Sequence, residues 1–422
     1  MAGIDIISDT TGQAIVESIK ALGTKMSSGK VVYGVHINSG DSNPATAVRY
    51  LADASGMTPA HMNYTTGQFE YGSWGNAFFL PRPCMLKTDG TVDYYLNEND
   101  YSKKADGTAS DIANTSYDGN AMMEWGDGTN LIWWKIEPDK GNANSASLYI
   151  ANYQADDSFK CLNHYDIDGN VKAHFYTAIY NGSLDSNNKL RSLSGQTIMR
   201  SKNASQEMGY AAANGKGYYI EQFVDRLLIN MLLIIMGKSL DTQTVFGRGM
   251  SENSADESLL LKSGTMNAKG LFWGENTGKA GVKVFGMENY WGNQWRRTCG
   301  LNYVNGVIKV KLSPSTKDGS TASNYNTDGS GYITIPNSTI TGTSGGYIKK
   351  MLFTEYGMFE SDVSGSSSTY FTDGGWFNNT INAFAIFGGR LDRGLRCGAS
   401  SVALNHDAGD AWWDVGAPLS YK

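Results

Sequence analysis

Four cysteines, five histidines and eight prolines are few for a chain of 422 residues. Cys84, Cys161, Cys299 and Cys397 lie far apart and form no CxxC pair, so the spacing of a zinc site is missing, while a structural disulfide stays open. His36, His61, His164, His174 and His406 show no metal-type spacing; His164 and His174 could meet across strands, but a core or surface histidine is the commoner case. Walker and HExxH motifs are missing too. The chain is not basic: its net charge of −6 argues against nucleic acid or an anionic membrane as the main partner, because neither is drawn by the overall field. One long apolar run exists, YYIEQFVDRLLINMLLIIMGK over 218–238, but its apolar part from Leu227 to Met236 is about half the roughly 20 residues that a membrane span requires. Glu221, Asp225 and Arg226 also sit inside it, so it is predicted as a buried helix, with Gly237 at C′ and Lys238 against the negative helix end. The opening MAGIDIISDTTGQ has no basic n-region and no apolar h-region, and no signal peptide is read in it.

What the chain has in quantity is glycine, 50 residues, with 24 tyrosines and 10 tryptophans. Glycine supplies turns, and Tyr and Trp supply area with a polar tip, so a turn-rich protein with wide aromatic surfaces is expected. Ile15, Ile19, Leu22 and Met26 make one stripe of a helix over about 11–26, to pack on the body or on copies of itself. A strand from Val31 follows, then a helix start at Ser42 or Asn43 before Pro44, which closes an N-terminal unit at 1–65. Beyond Tyr71 short strands follow one another from Val92, Asn130, Ser147 and His174. The polar stretch 312–346 is expected as long surface loops with one hairpin. DIDGN, with Asp166, Asp168, Gly169 and Asn170, lacks the later ligands of a calcium loop and is read as an Asp-Gly turn.

Two tryptophan motifs are more informative. GLFWGENTG from Gly270 and VFGMENYWGNQWRRTCG from Val284 interleave indoles with amides and glycines. Trp291 and Trp295, four apart, suit a buried core motif whose N–H groups bond to neighbouring amides; an exposed sugar-binding platform is the other reading.

ENYWGNQWRR, followed far downstream by FAIFGGRLDRGLRCGASSVALN and WWDVGAPLSYK, resembles the C-type lectin fold in its formylglycine-generating-enzyme-like branch. More narrowly it resembles the variable proteins of diversity-generating retroelements, of the major tropism determinant type. The preceding segments PRPCMLKTDGTVDYYLN, NAMMEWGDG and HFYTAIYNGS resemble phage and prophage tail receptor-binding proteins. The resemblance implies an α+β fold, turn-rich with short strands and few helices: an attachment and oligomerisation unit at 1–65 and a lectin-like domain at 66–422, with a variable region at about 374–422. In such proteins adenine-directed rewriting of AAC codons reaches most residues but not Lys, Glu, Gln, Met or Trp. The stretch 361–421 contains no Lys, Glu, Gln or Met, and Trp412 and Trp413 would belong to the constant part.

By the same resemblance Trp291, Trp295, Gly388, Gly389, Gly394, Cys397, Gly398, Leu404, Asn405, Trp413, Gly416, Ala417 and Leu419 would be scaffold. The ligand-facing positions would be Arg390, Leu391, Asp392, Arg393, Leu395, Arg396, Ser400, Ser401, Ala403, His406, Asp407, Ala408, Asp410 and Asp414. Along 401–404, Val402 and Leu404 would face one way and Ser401 and Ala403 the other. The implied protein is an adhesin without cofactor or catalytic role, since Cys299 and Cys397 match no motif of the redox pair in formylglycine-generating enzymes. Its partners would be a bacterial surface receptor, protein or glycan, and other tail proteins through the N-terminus. A homotrimer in a virion is implied, with no nucleic acid and no membrane insertion. A tail-associated glycan hydrolase and a purely structural tail component are the alternatives.

Overall fold

The computed structural model describes residues 29–422. The stripe Ile15, Ile19, Leu22 and Met26 lies outside the described residues. The fold is β-rich with few helices, and three sheets carry most of it. A four-stranded antiparallel sheet runs in the order Val48–Ala52, Val32–Ile37, Asn142–Ala151, Trp133–Asp139. A seven-stranded antiparallel sheet is built round Gly119–Trp125, Arg82–Lys87 and Phe175–Ala178, with Leu419–Tyr421 inserted between Phe175–Ala178 and the edge strand Tyr218–Ile220. The third sheet is centred on the ten-residue strand Trp295–Val304 and collects the C-terminal strands.

Between the sheets lies helix α1, Phe223–Gly237, with every residue buried. A helix that is apolar all round belongs in an interior, and its charged residues are kept there by partners. Asp225 pairs with Lys422 at 3.0 Å, and Glu221 takes Arg226 at 3.2 Å and Arg296 at 2.7 Å. Asn163 ties the first sheet to this helix: it accepts from Trp134 Nε1 at 3.0 Å and donates to Val224 O at 2.9 Å. No helix among the described residues is long and apolar enough to cross a membrane.

Four expectations are corrected. Residues 32–52 share a sheet with 133–151, so the described part of the expected 1–65 unit does not stand apart. The helix expected after Ser42 is a turn followed by the strand Val48–Ala52. Asn43 Oδ1 accepts from Ala45 N at 3.0 Å, and Thr46 Oγ1 donates to Asp41 at 2.7 Å, giving this backbone a turn in place of a first helical turn. Gly237 is the last residue of α1, and Lys238 takes the left-handed conformation at φ +50°. The glycine serves close packing, since a Cβ there would lie 2.8 Å from Val245 Cγ1.

The polar stretch 312–346 is mostly loop and about half exposed, as expected, but it forms no hairpin of its own: its short strands pair outward, Ile333–Thr334 with Val307–Val310 and Gly345–Tyr347 with Gly374–Phe377. Its start, 312–315, is buried because its own side chains satisfy its backbone. Asp318 accepts from Leu312 N at 2.6 Å and Ser320 N at 3.0 Å, and Lys311 Nζ donates to Ser315 O and Ala322 O. His164 and His174 do not meet and are ordinary bonded histidines: His164 bonds to Lys172 O and Ile132 N, and His174 to Gly126 O. The Asp-Gly turn is found as expected, with Asn170 N donating to Asp166 Oδ1 at 2.8 Å.

Candidate functional site

The strand Val402–Leu404 lies between two neighbours, antiparallel to Asn382–Phe387 and parallel to Gly374–Phe377. Its alternation is the expected one on two covered faces. Val402 and Leu404 border an interior cavity beside Phe223 and Phe387, and Ala403 borders a surface cleft on the opposite side. Val415–Gly416 runs parallel to the start of Trp295–Val304 and closes the other side of this cleft.

Two glycines fix the connection between these strands. Gly389 has φ +79°, and a Cβ on it would lie 2.5 Å from Cys397 Sγ. At Gly398, φ is +144° and a Cβ would fall 2.0 Å from Asp373 Oδ1. Both positions need the positive φ and the missing side chain together. Gly388 and Gly416 are buried beside them, Gly388 accepting from Gly292 N at 3.0 Å.

Three indoles wall the cleft, which encloses about 550 Å³ and opens to solvent. Trp295 forms the floor and is only 3% exposed; Trp376 meets it edge to face at 5.4 Å. Trp412 stands at the mouth, 50% exposed, with the His406 ring against it at 6.2 Å. Arg390 spans one wall: it forks onto Asp392 at 2.6 and 3.0 Å, donates from Nη1 to Asp414, and lies over Trp413 at 5.4 Å. These carboxylates hold the guanidinium more strongly protonated than usual against the cost of its partial burial.

Arg393 lies over Trp376 at 5.6 Å, and its Nε has no hydrogen-bond partner, the nearest carboxylate oxygen being Asp392 Oδ1 at 3.9 Å. Partial burial, with Arg390 close by, makes Arg393 easier to deprotonate than an ordinary arginine. Arg396 approaches Trp376 at 6.0 Å and Tyr347 at 5.3 Å. Asp410 holds His406 Nδ1 at 3.0 Å. The Asn405 Oδ1 atom in the cleft wall is buried without a hydrogen-bond partner.

Of the positions expected to face a ligand, Arg390, Arg393, Ala403, His406 and Asp414 line this cleft, although they span 24 residues of sequence. Asp392, Arg396 and Asp410 stand round it through the contacts above. Leu395, Asp407 and the half-buried Ala408 lie outside it, Leu395 being 39% exposed. Leu391 and Ser401 are corrected: both are fully buried and neither faces a ligand. Ser400 is corrected too, since it borders the interior cavity rather than the cleft. The cause is the same for all three, because the strand and its entry loop are covered on both faces.

Trp291 is scaffold, fully buried, but its N–H donates to Gly247 O at 3.0 Å and not to a neighbouring amide. Trp376 was missed. In DGGWFNN nothing marks it, because only the pairing of Gly374–Phe377 with Val402–Leu404 carries it to the site. All four cysteines are buried and free, and burial pushes the Cys299 and Cys397 thiols well up.

A β-rich chain with few helices and a tryptophan-walled cleft is thus the class in hand. Among solved structures, the "Major Tropism Determinant P3c Variant" is similar at 11% identity and a TM-score of 0.26, over 93% of this chain and 72% of that one. A likeness of this degree assigns neither fold nor function. No protein-family profile and no curated protein matches the chain.

Proposed function

We propose that this chain is a ligand-binding adhesin, a phage or prophage tail receptor-binding protein that holds a bacterial surface receptor in the tryptophan-walled cleft. One observation carries the reading: positions selected from the sequence as ligand-facing, Arg390, Arg393, His406 and Asp414, meet round one concave surface with three indoles. The cleft is concave and sets convergent polar groups, Arg390, Arg393, Asn405, His406 and Asp414, against indole faces, which gives a ligand both orientation and contact area. The finer reading takes the fold as C-type lectin, with Trp295, Trp376 and Trp412 as constant walls and the arginines and His406 as positions rewritten by a retroelement. On this reading the protein acts in the virion as a homotrimer attached through its N-terminal residues, without catalysis, cofactor, nucleic acid or membrane insertion. Three copies of a modest site would raise avidity by about 10²-fold or more where they engage together.

Sequencing this locus in related isolates tests the proposal. Changes are expected to concentrate between Arg390 and Asp414, beside an adenine-rich template repeat and a reverse transcriptase gene. Changes spread evenly along the chain, with no template nearby, would contradict the retroelement part.

A further inference from the structure

We infer that the cleft takes an acidic sugar, with the carboxylate on Arg393 and the sugar ring against Trp376 and Trp412; this rests on the receptor-binding reading above. The charges of the cleft are unevenly committed. Arg390 has two carboxylates on it, Asp392 and Asp414, and is spoken for. Arg393 has only the long approach to Asp392 at 3.9 Å, and its Nε is buried without a hydrogen-bond partner. Arg396, on the same indole, forms no ion pair among the described residues. Two guanidiniums therefore flank Trp376 with donors to spare, and a guanidinium fork matches a carboxylate in shape and charge.

The rest of the wall suits a ring bearing hydroxyls. Trp412 is half exposed and presents apolar area at the mouth. Asn405 Oδ1 lacks a donor, and His406, held by Asp410 on Nδ1, keeps Nε2 for a second partner. An acidic side chain of a protein receptor would use Arg393 but leave Asn405 and the indoles unfilled. A sugar acid uses all of them.

The test measures tryptophan fluorescence and indole N–H NMR shifts of the full chain on adding sialyllactose against lactose, and oligogalacturonate against its methyl ester. An oligoglutamate peptide forms a further arm. At least one acid is expected to bind about tenfold more tightly than its neutral counterpart, the scale of one charged hydrogen bond. Arg393→Gln should remove that preference and keep the residual neutral binding, and Trp412→Ala should weaken acid and neutral forms alike, both variants melting like the parent. Equal binding of acid and neutral forms, or none of either, overturns the inference, and so does oligoglutamate binding above both sugars. Adhesion to host cells separates the two claims. If no sugar binds while cells are still held and Trp412→Ala releases them, the acidic-sugar inference alone fails; if Trp412→Ala adheres like the parent, the receptor-binding reading fails as well.

Discussion

Two buried titratable residues give opposite pH signatures. His164 is enclosed, and burial brings its pKa from 6.5 down to about 4, against the opposing effect of its bond to Lys172 O. The unfolded chain thus binds the proton more readily, so the stabilisation is complete above pH 6.5 and is lost as pH falls toward 4. The loss amounts to about 3 kcal/mol at most. An NMR titration of the His164 ring should show a midpoint well below 6.5, and an ordinary midpoint would contradict the assignment.

Glu360 has the reverse sign. Both its carboxyl oxygens are buried without a hydrogen-bond partner, and burial alone pushes its pKa well above 4.5. The folded chain keeps the proton, so stability is greatest below pH 4.5 and falls as pH rises toward the folded value. Glu360→Met, similar in volume, should raise stability by about 1–3 kcal/mol at pH 8 and flatten that fall, as read from melting curves at several pH values. An unchanged slope would place the pH dependence elsewhere.

The elements show how a loop is made into a frame. Gly398 joins a tight turn to the strand Val402–Leu404, and Asp373 fills the space a side chain would need while accepting from Ser400 N at 2.8 Å. Gly398→Ala is expected to cost more than about 1 kcal/mol through the positive φ and to disturb the Asp373 contact. Differential scanning calorimetry measures it, and a melting temperature equal to the parent's would contradict the role of the glycine.

Helix α1 was legible because a run of apolar residues long enough for nearly three turns, with three charges at one end, has few other uses. The strands from Val92, Asn130, Ser147 and His174 were legible because alternation and flanking turn residues are local signals. The helix after Pro44 was misread where Asp41 and Asn43 capture the backbone for a turn. Within 312–346 the loops were legible but the burial of 312–315 was not, because composition reports polarity but not whether polar groups satisfy one another, as Asp318 and Lys311 do here. In the site, it was the resemblance of the C-terminal segment that picked out Arg390, Arg393 and Asp414, which the fold brings to one cleft. Trp376 and the burial of Leu391 and Ser401 were illegible, since both depend on strand pairing across long stretches of chain.

On the scale of the whole molecule, the cleft is held by a body whose ion pairs are interior. Glu221 with Arg226 and Arg296, and Asp225 with Lys422, fasten α1 to the second and third sheets. Removing one partner of such a pair strands a buried charge and costs about 3–5 kcal/mol. Glu221→Ala should therefore lower the melting temperature sharply, and a mild effect would show that the pairs are not what fastens the sheets. Assembly is a separate matter. Light scattering of a chain lacking residues 1–30 should show weakened trimers if the Ile15, Ile19, Leu22 and Met26 stripe makes the contact, and an unchanged trimer would put the contact elsewhere.

Adhesion of the purified protein to host cells, compared between the parent chain, Trp412→Ala in the cleft and Lys269→Ala, whose side chain lies over Trp273 outside the cleft, tests the central claim most directly. The account predicts that Trp412→Ala loses adhesion about tenfold or more, as for an aromatic anchor of a binding site, while Lys269→Ala binds like the parent. Equal adhesion of all three proteins would contradict it.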